Sequence, residues 1–197
     1  MSRVRYLLAE ARANGVLAAL DLLWVSLFKR NVFQVLALDL STPRPAIAPR
    51  AGIEVRLITI AELRELRSQT GTLSIDFSGD ELFGYTHPFV AFVDNQVAAI
   101  MWIVLPGQPS RFLDLQEGEV EINYLAVRPE FRGQRLGQHV MAHQVQWAAA
   151  ANHRRMFVVV DAQNIASLKP MLDLGFRPVE ALVHIAWHRP KAQLRHA

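Results

Sequence analysis

The apolar positions of this chain change period as they run from one end to the other, and each change predicts an element. Ile60, Leu63 and Leu66 recur every third residue, which gives a short amphipathic helix; Thr59 followed by Glu62 forms a capping box at its start. Ile53–Leu57 precedes it as a first strand. Pro88–Val93 and Gln96–Leu105 are apolar runs separated by Asp94 and Asn95, residues that tolerate positive φ, and they predict a hairpin. Glu119–Val127 alternates and then turns wholly apolar at Leu125, Ala126 and Val127, a buried strand closed by Pro129. Val140, Met141, Val145, Trp147 and Ala148 return to helical spacing within Leu136–Ala151, and Met156–Val160 is an unbroken apolar run suited to a central strand. Asn164–Leu174 reads as a short helix with Pro170 in its first two turns, and Phe176–Val179 and Leu182–His188 as closing strands.

The first fifty residues follow a different pattern. Gly15–Phe28 is apolar, but Asp21 interrupts it and it falls short of the roughly 20 residues a spanning helix needs. Val16, Leu20, Leu23, Trp24 and Leu27 share one helical face, so residues 1–40 are expected to pack on the domain or a second copy in a homodimer, ahead of peripheral contact with a membrane. Val32–Leu40 suits a pleated surface, and Pro43, Pro45 and Pro49 hold the following segment extended as a boundary. The expected organisation is a helical extension and linker over 1–50, a main domain over 51–190 and a tail over 191–197. Gly71–His87 and Pro106–Gly118 are read as loops that carry acceptor contacts.

Composition narrows the chemistry. The 197 residues include no cysteine, which excludes disulfides, thiolate metal sites and a cysteine nucleophile; no metal is expected, and the location expected is cytoplasmic, with membrane association through the N-terminal segment as the less favoured alternative. Net charge is +4 over residues 1–50 and −1 over the remainder, so the main domain lacks the basic surface of a nucleic-acid binder. Chemistry concentrates where the strand ending at Val127 empties into a turn bearing Arg132, Gly133, Arg135 and Gly137 and then into a helix. Unpaired amides at a helix start carry partial positive charge, and arginines beside them strengthen a site for a phosphate-bearing cofactor.

This strand, turn and helix resemble motif A of the GNAT acetyltransferase superfamily, the hexapeptide being Arg132, Gly133, Gln134, Arg135, Leu136 and Gly137. Arg135 stands where the family usually has glycine, so its backbone is expected to suit a residue with a Cβ. Asn164–Phe176 is similar to the family's second segment, with Met171 in place of the usual tyrosine. The resemblance covers Gly52–His188 and implies an α/β fold, a twisted mixed sheet flanked by helices that follows the N-terminal helical extension. It also implies acetyl-CoA held between splayed strands Glu119–Val127 and Met156–Val160. Leu125, Ala126 and Val127 would offer main-chain partners, and Arg132 through Gln138, with Asn164, would contact the cofactor. The chemistry implied is direct attack of a small molecule's primary amine on the thioester through an oxyanion held by the Leu125 amide.

Glu119, Glu121 and Asn123 alternate with Val120 and Ile122, which makes Glu121 the candidate base or the holder of a relaying water. His184 and His188 on the closing strand are further candidates, weighed against a purely structural role. Two other readings keep the fold: an acyltransferase using longer acyl-CoA or an acyl carrier protein, and a degenerate domain that serves as a binding module.

Overall fold

The computed structural model describes residues 31–42, 50, 52–71 and 73–184, together with Arg12, Gly15, Val16, Leu17, Leu20 and Ala192. Its elements are β1 (Asn31–Asp39), β2 (Ile53–Leu57), α1 (Ile60–Gln69), a 3-10 turn at Ile75–Ser78, α2 (Gly79–Phe83), β3 (His87–Val93), β4 (Gln96–Val104), β5 (Glu119–Val127), α3 (Leu136–Ala150), β6 (Arg155–Asp161), α4 (Ile165–Asp173) and β7 (Arg177–His184). Among the described residues seven strands form one mixed sheet in the order β2-β3-β4-β5-β6-β1-β7, with β5 and β6 the one parallel pair.

Local chemistry explains most of these boundaries. Thr59 and Glu62 make the expected reciprocal cap of α1, the Thr59 amide donating to Glu62 Oε2 at 2.7 Å and the Glu62 amide to Thr59 Oγ1 at 3.2 Å. Asp94 and Asn95 sit at φ 48° and 64°, the turn geometry that matches the twist of a two-residue hairpin. One core lies under α3, where Val140 and Met141 meet Ile103, Val120, Ile122 and Leu38; a second lies under α1 and α2, around Trp102, Phe77 and Tyr85; a third, smaller one gathers Val35, Phe112, Leu113, Phe157 and Leu182.

The segment before residue 50 does not stand wholly apart from the main domain. β1 is inserted between β6 and β7, antiparallel to both, with Val35, Leu36 and Leu38 at 1% exposure or less. Its apolar residues fall on both faces, which only a strand with neighbours on both sides and layers above and below can bury. Two further readings are corrected. The expected closing strands are one strand, β7, whose edge position accommodates Pro178 beside a register shift. The loop over residues 71–87 contains the 3-10 turn and α2, elements of four and five residues that are too short to show a period. Val16, Leu17 and Leu20 are exposed; Leu23, Trp24, Leu27, the linker prolines, His188 and the tail apart from Ala192 lie outside the described residues.

Candidate active site

The site begins where the sheet stops pairing. β5 and β6 are in register only from Glu119–Glu121 against Arg155–Phe157, and beyond Glu121 the two parallel strands part. On its other side β5 carries a bulge: Ile100 faces Ala126 and Trp102 faces Asn123, so Met101 stands opposite both Tyr124 and Leu125. Tyr124 takes φ 53°, the local twist that a bulge concentrates. Gln144, fully buried on α3, donates through Nε2 to the Met101 carbonyl at 3.1 Å, and its Oε1 has no partner among the described residues. A buried side-chain amide therefore satisfies backbone that the bulge exposes.

The turn after β5 supplies the second half. A 3-10 turn at Pro129–Phe131 leads to Gly133 at φ 80° and Arg135 at φ 58°, and α3 begins at Leu136. Among the described residues no backbone carbonyl accepts from the amides of Gly133 through Gly137. Arg135 thus occupies the left-handed region that favours glycine, contrary to the expectation of a backbone suited to a Cβ. At Gly137 a Cβ would lie 2.7 Å from Leu125 Cδ2, so a larger residue must push that side chain aside. Arg50, which sequence patterning did not single out, reaches the turn and donates from Nη1 to the Gln134 carbonyl at 3.3 Å. Burial, then Arg50 and His143, hold His139 below the ordinary histidine range.

These parts enclose a cleft of about 1480 Å³. Leu125, Ala126 and Val127 form its floor, the turn with Arg132, Gly133, Arg135, Leu136, Gly137 and Gln138 one wall, and Asn164 with the first turns of α4 another. Asn164 caps α4 by accepting the Ser167 amide at 3.2 Å. Met171 lines the cleft and is 4% exposed, an apolar wall where a tyrosine was the pattern. The structure therefore brings together the strand, turn and helix residues singled out for the cofactor, though Gln134 enters through its carbonyl to Arg50.

Glu121 and the strand position of His184 are not brought to the cleft. Glu121 is 1% exposed and absent from the cleft's walls; its Oε1 accepts from Asn123 Nδ2 at 3.2 Å. It faces the α1–α2 side, where burial and the charges of Tyr124 and Glu121 push the Tyr85 phenol above its ordinary range. Tyr85 donates to the Pro109 carbonyl at 3.0 Å, and Phe83 stacks on Tyr124 with centroids 4.9 Å apart. Glu121 is paired at the closed end of β5 because the splay opens only beyond it. His184 lies on the far strand β7, opposite Asn31, with β1 and β6 between it and β5, so it does not join this group. Among the described residues no cluster of three acidic or histidine side chains could hold a metal ion.

The geometry fits a diphosphate-bearing thioester. Five amides with no backbone acceptor among the described residues lie along the turn beside Arg132 and Arg135, and the parted strand offers main-chain groups to an extended arm. Comparison with known proteins agrees: the model of the Acetyltransferase (GNAT) family matches residues 60–176, more than half of the chain. The chain belongs to the GNAT acetyltransferase family. Structures of other GNAT proteins share its fold. A GNAT-family acetyltransferase from Novosphingobium aromaticivorans superposes with TM-score 0.52 at 18% identity, covering 77% of this chain and 62% of that one. A GCN5-related N-acetyltransferase from Sphaerobacter thermophilus gives 0.55 at 16%, covering 92% and 60%. A fungal GCN5-related glucosamine N-acetyltransferase region within a multi-domain protein gives 0.58 at 18%, covering 78% and 20%. The chain thus spans less than two thirds of these relatives' length. No curated protein matches it.

Proposed function

We propose that this GNAT domain transfers an acetyl group from acetyl-CoA to a primary amine of a small molecule. The observation that carries this reading is the parting of β5 from β6 immediately beside the amide-lined turn. Acetyl-CoA, when bound, supplies an electrophilic thioester carbonyl. The amides of Gly133 through Gly137, with Arg132 and Arg135 alongside, would hold its diphosphate; Leu125, Ala126 and Val127 would pair with its arm as a neighbouring strand would. The bulge turns the Leu125 backbone out of the β4 ladder, which frees its amide to stabilise negative charge on an acyl oxygen. Gln144 fixes that bulge from behind. Met171 donates no proton, so the thiolate would leave unprotonated; the comparable cysteine thiol has a pKa of about 8.5, low enough for that route.

A thermal-shift titration with acetyl-CoA, longer acyl-CoAs and free CoA tests the proposal, since a ligand of the native state raises its midpoint. Stabilisation by acetyl-CoA that Gly137→Trp abolishes in a folded protein supports it. No shift with any thioester refutes it, and stabilisation confined to long acyl chains reassigns the donor.

A further inference from the structure

Arg50 ends the N-terminal segment, and its backbone and side chain are held by different parts of the molecule. The Ile53 amide donates to the Arg50 carbonyl at 3.0 Å, closing a four-residue turn whose third residue, Gly52, has φ 79°. The Asp94 amide donates to the Gly52 carbonyl at 3.1 Å, which pins this turn to the hairpin beside β2. Ile53 and Val55 then pack on the core that also holds Leu136 and Val140 of α3. From this base the Arg50 side chain crosses to the start of α3, where Nη1 donates to the Gln134 carbonyl at 3.3 Å.

That carbonyl belongs to the peptide unit between Gln134 and Arg135. The unit is planar and trans, so its C=O and the Arg135 N–H point in opposite directions. Neither Arg50 nor Gln134 lines the cleft, whereas Arg135 does. A carbonyl turned outward to Arg50 therefore turns the Arg135 amide inward, and that amide has no acceptor among the described residues. The arrangement is strained, because Arg135 sits at φ 58°, where a Cβ crowds the following carbonyl. Flipping this one peptide would carry Arg135 back to negative φ, but it would point a carbonyl into the cleft. The hydrogen bond from Arg50 opposes that flip. Among the described residues Arg50, Arg132 and Arg135 have no carboxylate partner, so the guanidinium is not drawn elsewhere.

We infer that Arg50 is a positioning residue for the donor: it holds the Gln134–Arg135 peptide so that the Arg135 amide faces the diphosphate of acetyl-CoA. This rests on the acetyl-CoA reading above. Arg50 acts through the turn and touches no reacting atom. It stands outside the contiguous segment Arg132–Gln138, so the N-terminal segment contributes to donor binding through this side chain. An amide fixed before the ligand arrives binds more tightly than one that must be ordered on binding. The benefit is confined to the part of the donor that meets the turn. A thioester with the pantetheine arm but no diphosphate gains nothing from Arg50.

The test uses the full chain, Arg50→Met and Arg50→Lys, with calorimetric titration of acetyl-CoA and free CoA. Thiol release is followed with acetyl-CoA and with S-acetyl-pantetheine, which lacks the diphosphate. Arg50→Met is expected to weaken binding of acetyl-CoA and CoA by about tenfold, as loss of a charge-assisted hydrogen bond does, and to raise KM for acetyl-CoA with kcat unchanged. KM for S-acetyl-pantetheine should stay at the wild-type value. Arg50→Lys keeps a cationic donor and should recover part of the loss. A further readout needs no ligand: because the Arg50 charge helps hold His139 low, its imidazole should titrate at higher pH by NMR in Arg50→Met. Unchanged acetyl-CoA affinity in Arg50→Met overturns the assignment, as does an equal loss with S-acetyl-pantetheine. A difference that vanishes at high salt overturns it too, since Arg50 would then act as a direct charge on the phosphates. So does a His139 titration that fails to move, which would place Arg50 away from the turn. A wild type that binds no thioester, while His139 responds as expected, would instead overturn the acetyl-CoA reading on which this proposal rests.

Discussion

Gly137→Ala tests the link between the helix start and the bulged strand. A Cβ built on Gly137 lies 2.7 Å from Leu125 Cδ2, whereas carbon atoms at rest are about 3.5–4.0 Å apart, so the leucine must retreat by roughly 1 Å. Gly137 is the second residue of α3 and has an ordinary helical φ, so alanine improves helix propensity by about 0.5–1 kcal/mol. Overpacking costs about 1–3 kcal/mol, at the low end when a side-chain tip can yield. These terms nearly cancel, and Tm should move by no more than about 4 °C. The site should respond as well, because whatever part of the retreat reaches the Leu125 backbone moves the amide expected to meet the acyl oxygen, and a full 1 Å misplacement there would cost about 100-fold in rate.

Acetyl-CoA affinity by calorimetry and kcat/KM by thiol release are the assays. Gly137→Ala is expected to lower kcat/KM by about tenfold, which corresponds to about 1.4 kcal/mol. Leu125→Ala removes the atom that would be struck, so in the double variant the second change should recover part of the loss. A coupling of at least about 1 kcal/mol between neighbouring sites is expected. Additive effects, or a Gly137→Ala protein with wild-type kinetics, would refute the idea that this glycine is required by Leu125.

Gln144→Leu should destabilise the protein by about 2 kcal/mol in urea denaturation, because the Met101 carbonyl loses its donor in a dry core, and should lower kcat more than it raises KM. Arg135→Gly relieves a left-handed backbone and should raise Tm by about 2–4 °C, while acetyl-CoA binding weakens and its salt dependence flattens. Asp80→Asn breaks the ion pair with Arg67 and should cost about 3 kcal/mol at pH 7. Burial pushes the Asp80 carboxyl up, but the Arg67 hydrogen bond and charge outweigh it and hold the group below its ordinary value. The contribution of Asp80 is therefore complete above an unfolded pKa of about 3.9 and is lost as pH falls through the folded value, so wild type and variant should converge in acid.

Elements set by local chemistry were legible in the chain. The capping pair at Thr59 and Glu62, the Asp94–Asn95 turn and the periodic face of α3 depend on neighbours within a few residues, and they fold where the pattern puts them. The turn from the β5 strand into α3 was legible for the same reason: its glycines and arginines are contiguous. What was not legible depends on pairing at a distance. The Val32–Leu40 pattern announces a strand but not its partners, and those partners, β6 and β7, arrive more than a hundred residues later. Glu121 shows the same limit, since alternation gives its face but not the depth at which β5 leaves β6.

The two motif positions that depart from the family pattern bear different physical consequences. At Arg135 the backbone keeps the glycine-like φ, so the departure appears as strain beside an added charge, and the turn geometry survives. At Met171 the replacement keeps the wall but removes a proton, so any proton management must come from elsewhere around the cleft. The 3-10 turn at Ile75–Ser78 is held by residues that follow no family spacing: Trp102 on β4, Gly79 at the start of α2, and Arg67 on α1 converge on it. The strand-to-helix turn is built from contiguous residues. The 3-10 turn on the opposite wall of the cleft is held from three separate elements, so a change at Gly79 or Arg67 should disturb that wall before it disturbs the turn at Arg132–Gly137.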